Sequence, residues 1–133
     1  MNAVIDEDVL LDYLNGVPAA AQALDACAHR SIGVLTWLAV MARCPPALLE
    51  PTRGFLRSFE RLSISEAIAD EALRLRLASP SLDHARAIAW ATANVNQLMF
   101  VTSRREGIEA AGRNVVMAYE ARGRASDLPA AVP

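Results

Sequence analysis

Two acids stand two residues apart near the N-terminus, Asp6 and Asp8 in "NAVIDEDVLLDYLNG". An acid that closes an apolar run, with a second acid just beyond it, can aim both carboxylates at one divalent cation. Mg²⁺ takes hard oxygen ligands, usually one or two carboxylates completed by water and phosphate. The same side chains can instead cap the following helix by accepting the unpaired N–H groups of its first turn. Both readings fit the motif. A second polar group, Asp83, His84 and Arg86, opens "LDHARAIAWATANVNQLMFVT". Asp83 precedes Arg86 by about one helical turn and reads as an N-cap. His84 sits beside Asp83, but sequence neighbours do not face each other on a helix, so a solvated helix start is the better reading.

Hydrophobic periodicity shows which elements must position these residues. "NAVID" is a short apolar run. "VLLDYLNG" switches to helical spacing, with Gly16 as a stop, and Pro18 opens a second helix, "PAAAQALDACA". "RSIGVLT" reads as a second buried strand, and "TWLAVMAR" as a helix halted by Pro45 and Pro46. A helix from about Glu50 turns Phe55, Leu56 and Phe59 inward, and "RLSI" is a short strand. Ser65 caps a helix whose Ile68, Ala72 and Leu75 share one face. "LMFVT" and "NVVMAY" are the last two strands. Nearly continuous apolar strands alternating with helices predict an α/β fold with a parallel sheet covered on both faces. Ligands of such sheets bind beyond the carboxyl ends of the strands, here just after Ile5, Val34 and Val101.

A chain of 133 residues, 53% apolar, suits one ordered domain. The expected domain spans residues 1–119, and the Ala-, Pro- and Arg-rich stretch 120–133 is expected to be a flexible tail. The formal charge of −2 gives no overall footprint for nucleic acid, and it does not exclude a local basic patch. All 13 basic residues are arginine, which a GC-rich genome accounts for. Cys27 and Cys44 are too few and too far apart for a metal knuckle and read as reduced thiols. No stretch reaches the roughly 20 apolar residues of a membrane span, and no basic region followed by a long apolar run opens the sequence. The expected location is cytoplasmic. His29 lies in a loop without an evident partner, and Trp37 and Trp90 read as packing residues.

Five pieces, "IDEDVLLDYLNG", "SIGVLTWLAVM", "TRGFLRSFERLSISEAIADEALRLR", "ARAIAWATANVNQLMFVTS" and "GRNVVMAY", resemble in order and spacing the PIN-domain proteins of the VapC toxin type. The resemblance covers residues 2 to 119. It implies a three-layer α/β/α fold with about five parallel strands, and a bacterial Mg²⁺- or Mn²⁺-dependent ribonuclease. It also implies a homodimer, and a small antitoxin that silences the nuclease by inserting a helix or strand into a groove. Asp6 matches the family's first acid, and Asp8 a position that is usually asparagine or another polar residue. Elsewhere the chain departs. Ala39 stands at the glutamate of the helix after strand two, Arg86 at the acid that starts the later helix, and Arg104 at the polar position after strand four. Gly107 takes the place of the later acid of that loop. Thr102 matches the family, and it and Ser103 can hydrogen-bond near the site.

Two lost carboxylates and two gained guanidiniums change the local charge by about four units, against the field that gathers Mg²⁺. One reading is a degenerate domain that binds without cutting, needs no cofactor, and sets Arg86 or Arg104 against Asp6 and Asp8. Its partner would be an antitoxin-like protein, a second copy or RNA. The other is an active ribonuclease with Mg²⁺ or Mn²⁺ held by Asp6, Asp8 and Asp83, helped by Glu7 or Glu106.

Overall fold

The structure is a computed structural model that describes residues 1–108 and 114–120. Strand β1 (Asn2–Ile5) leads through Asp6 into helix α1 (Glu7–Leu14) and then α2 (Pro18–Asp25). Strand β2 (His29–Gly33), helix α3 (Val34–Ala42), a 3-10 turn at Pro46–Leu48, helix α4 (Leu49–Leu56) and strand β3 (Glu60–Leu62) follow. Helices α5 (Glu66–Ala78) and α6 (His84–Val95) precede β4 (Met99–Thr102) and β5 (Val115–Met117). The five strands form one parallel sheet in the order β3-β2-β1-β4-β5. The chain builds outward from β1 to β3, then crosses back to the other side of β1. That reversal opens a crevice at the carboxyl ends of β1 and β4.

Alternation along β1 supplies both faces of the sheet. Ala3 and Ile5 join Val9, Leu10, Val40, Leu56 and Phe59 on the α1–α4 side. Val4 joins Ile68, Leu75, Trp90 and Phe100 on the α5–α6 side, where Trp90 and Phe100 stack with ring centroids 6.4 Å apart. Among the described residues no helix is long and apolar enough to cross a membrane.

Two boundaries differ from the sequence reading: the short strand expected at 61–64 runs Glu60–Leu62, and the start of α3 lies earlier than expected. The second strand ends at Gly33, and Val34, Leu35 and Thr36 form the first turn of α3. A short apolar run carries no periodicity of its own; here Thr36 and Val40, four apart, are buried on one helical face, and that packing sets the boundary. His29, expected in a loop without a partner, is instead the first residue of β2, and its Nε2 lies 3.1 Å from Glu60 Oε1 on the neighbouring strand, both exposed. Residues 121–133, including Arg122 and Arg124 of the expected tail, lie outside the described residues. Glu120, placed in that tail, pairs with Arg105 at 2.8 Å.

Candidate functional site

Asp6 is the extended residue between β1 and α1, with φ −73° and ψ 153°. Its N–H continues the ladder to Val101 O at 2.9 Å, which fixes the carboxylate at the carboxyl end of the central strand. Oδ1 accepts from Glu7 N at 2.8 Å, so Asp6 caps α1, and Oδ2 is left facing the crevice. Asp8, one half-turn on, is 3% exposed. Its Oδ2 accepts from Ser103 N at 3.0 Å and from Ser103 Oγ at 2.5 Å. The capping reading of this motif therefore holds for Asp6, while both side chains line the crevice.

Arg86 reaches the same point from the opposite layer. Asp83 caps α6 by accepting from Arg86 N at 2.8 Å, which sets the helix start so that the Arg86 side chain runs into the crevice. Its Nε donates to Asp6 Oδ2 at 2.9 Å. Nη2 donates to Thr102 Oγ1 at 2.8 Å and to Arg104 O at 2.9 Å, and Nη1 donates to Glu106 O at 2.5 Å. The Arg86 side chain is 6% exposed and that of Asp6 3%. Four donated bonds use most of the five N–H groups of a guanidinium, which is how a charge this deeply buried is tolerated. Thr102 Oγ1 in turn lies 2.8 Å from Asp6 Oδ2 and 3.4 Å from Asp8 Oδ2, and its single proton serves one of them at a time.

Burial first, and then the Asp8 carboxylate, push the Asp6 carboxyl up to about 7; the Arg86 guanidinium and the Thr102 hydroxyl pull it down. Below that pH Asp6 takes up a proton, which relieves its repulsion with the neighbouring Asp8 carboxylate. Below Asp8 on α1, Asp12 accepts from Tyr119 Oη at 2.7 Å. Burial, and after it this bond, hold the Tyr119 phenol well above its ordinary range.

The remaining expected residues are dispersed. Asp83 lines the crevice but is exposed and engaged as the cap. The Arg104 side chain lies 3.5 Å from Glu106 Oε2; its hydrogen bonds to the site are made by its main chain, the carbonyl oxygen accepting from Arg86 and the N–H donating to Thr102 Oγ1 at 3.2 Å. Of the two guanidiniums expected against Asp6 and Asp8, Arg86 or Arg104, the structure brings Arg86 to Asp6. Glu106 likewise engages Arg86 through its main chain. Gly107 has φ +82°, and a Cβ there would stand 2.8 Å from Leu82 Cα, so backbone strain and packing both oppose an acid at this position. Ala39 shares a helical face with Thr36 and Arg43 by its three- and four-residue spacing, and both of those residues line the crevice.

Sequence reading missed Arg43, which meets Glu7 Oε2 at 3.2 Å across the crevice; its place four residues after Ala39 was the available signal. It also missed the Tyr119–Asp12 bond, whose partners are far apart in sequence and carry no local signal. The crevice encloses about 90 Å³, with Asp6, Glu7, Asp8 and Asp83 facing Arg43, Arg86 and Arg104. Among the described residues no three His, Cys, Asp or Glu side chains are grouped to hold one metal ion.

No protein-family model and no curated protein sequence matches this chain. Solved structures do. A chain of a toxin–antitoxin complex from Klebsiella pneumoniae is 31% identical, with a TM-score of 0.83 over 90% of this chain and 100% of that one. FitAcB from Neisseria gonorrhoeae aligns at 17% identity and a TM-score of 0.68, over 85% of this chain and 95% of that one. VapBC2 from Rickettsia felis, solved bound to a DNA fragment from its promoter, aligns at 13% identity and a TM-score of 0.68, over 90% and 98%. The last two similarities are of fold alone.

Proposed function

Because the chain belongs to the PIN-domain family of the VapC toxin type, we propose that it is a degenerate member, a binding or regulatory module without metal-dependent RNA cleavage. The observation that carries this reading is the buried Arg86 guanidinium, bonded to Asp6 Oδ2 at 2.9 Å. Two-metal hydrolysis requires carboxylates free to gather cations and place a water. The donor set here fits a divalent cation poorly: Asp6 Oδ2 accepts from Arg86 and Thr102, Asp8 Oδ2 from Ser103, and Ala39 offers no ligand. A guanidinium suits this place because its fixed fork satisfies a carboxylate and several carbonyl oxygens at once.

The four acids that line one crevice support a second reading, an active ribonuclease using Mg²⁺ or Mn²⁺ on Asp6, Asp8 and Asp83. One experiment separates the two. The purified chain is incubated with RNA and Mn²⁺, with and without EDTA, beside a calorimetric Mn²⁺ titration. The degenerate reading expects no EDTA-sensitive cleavage and no binding heat. EDTA-sensitive cleavage that disappears in Asp6→Ala would overturn it.

The partner class proposed is an antitoxin-like protein, supported by the 31%-identical chain, which was solved in a toxin–antitoxin complex. A homodimer is proposed as well. Leu73 and Leu77, four apart on α5, are 58% and 74% exposed, and Leu38 of α3 is 54% exposed, more apolar surface than solvated helices usually display. Sedimentation should give twice the 14.3 kDa chain mass at micromolar concentration.

A further inference from the structure

Ten arginines lie among the described residues. Seven meet a carboxylate or a carbonyl oxygen: Arg43, Arg53, Arg74, Arg86, Arg104 and Arg105 approach acids, and Arg76 donates to Pro80 and Leu82. Arg30, Arg57 and Arg61 are the three with no such partner among the described residues, and all three belong to one face at the β3 edge of the sheet. There Arg61 lies over the Trp37 ring at 4.5 Å, Arg53 over the same ring at 5.7 Å, and Arg30 over Phe59 at 5.1 Å. Trp37, Arg53, Arg57, Phe59 and Arg61 line an open cavity of about 290 Å³. Arg53 Nε is buried there without a hydrogen bond. Glu50, 77% exposed, comes within 3.5 Å but does not complete one.

We infer that this face binds single-stranded nucleic acid, with phosphates on the arginines and bases against the guanidiniums and the half-buried Trp37 ring. Four cations facing one loosely held acid create a local positive field on a chain whose formal charge is −2, and a polyanion is the ligand that answers several such charges together. Arg30 and Arg61, each held over an aromatic ring with no carboxylate or carbonyl partner among the described residues, keep their N–H groups for a phosphate. Bases stack on arginine planes as well as on rings. An acidic peptide would meet the charges but leave those surfaces unused. The face shares no lining residue with the Asp6 crevice. The inference therefore does not rest on the proposed loss of cleavage, and the two can fail separately.

The test is fluorescence anisotropy of a labelled oligouridylate of about 12 nucleotides with the whole chain, at salt from about 50 to 200 mM. Four phosphate contacts predict a slope of log affinity on log salt of about −2.8, from about 0.7 per contact on a single strand. Arg57→Glu with Arg61→Glu should weaken binding at least about tenfold and bring the slope to about −1.4. Should charge reversal unfold the chain, Arg57→Gln with Arg61→Gln should halve the slope in the same way. Arg74→Glu, on the α5–α6 side, should change affinity less than about twofold. Any of three results would overturn the inference: no salt-dependent binding, an equal loss in Arg74→Glu, or competition by oligoglutamate as strong as by unlabelled oligouridylate.

Discussion

Arg86 and Arg61 carry the same chemical group into opposite surroundings. Arg86 is buried at the carboxyl end of the central strands, with donors committed to Asp6, Thr102 and two carbonyl oxygens. Arg61 lies exposed on the edge strand, against the Trp37 ring, with no acid or carbonyl partner among the described residues. The first is bound into the fold and can do little for a ligand without being released. The second keeps its charge and its N–H groups for whatever arrives. Charge alone therefore says little about function here; burial and partner count decide between a structural arginine and a recognition arginine.

The contrast can be tested from its strongest side first. Arg86→Ala leaves Asp6 buried without its cation and should cost roughly 3–5 kcal/mol in denaturant unfolding. Removing both partners, with Arg86→Met and Asp6→Asn together, should cost less, since position 6 then leaves no charge without its cation. If Arg86→Ala leaves the midpoint unchanged, the pair is solvated in solution and the contrast collapses.

Next is the exchange of cation for carboxylates. Ala39→Glu with Arg86→Asp should create Mn²⁺ binding with a Kd below about 1 mM, worth about 4 kcal/mol, in a calorimetric titration where the natural chain gives no heat. Failure of a folded double variant to bind would mean that more than these two substitutions separates the crevice from a metal site.

The pH dependence of stability is a smaller effect. The Asp6 carboxyl rises from 3.8 to about 7 on folding. The folded chain thus holds a proton that the unfolded chain has already released. Stability should fall as pH rises from about 4 to about 7 and level off above, by roughly 1–3 kcal/mol. Comparing Asp6→Asn with the natural chain across this window should show the fall absent from the variant. An equal slope in both would assign it to other groups.

Smallest is the exposed side of the comparison. Arg57→Ala should move stability by no more than about 0.5 kcal/mol, measured in the same denaturant series. A larger loss would mean that this face, like the crevice, is built into the fold.

The alternation of apolar strands and amphipathic helices was readable because each pattern reflects burial against a sheet, and burial is local in period. Val4 and Ile5 point to opposite sides of β1, as an alternating strand requires. Ser65 and Asp83 cap their helices, as their positions before apolar spacing predicted. The boundary between β2 and α3 was not readable, because "SIGVLT" has no period that separates a buried strand from a buried helix turn. The position of Asp6 followed from the topology, whereas the choice of Arg86 over Arg104 did not: both occupy family positions, and only the path of each backbone decides which side chain enters the crevice.

By itself the sequence determined the α/β class, the motif order that resembles the VapC-type family, and the residue types at its acidic positions, since these are properties of local pattern and identity. Tertiary structure decided which charges meet. It brought Arg86 to Asp6 across 80 residues, tied Tyr119 to Asp12 across 107, and left Arg57 and Arg61 beside Trp37 and Phe59. The physical reason is distance. Coulomb and hydrogen-bond energies depend on separations of a few ångströms, and chain separation does not encode those until the backbone has folded.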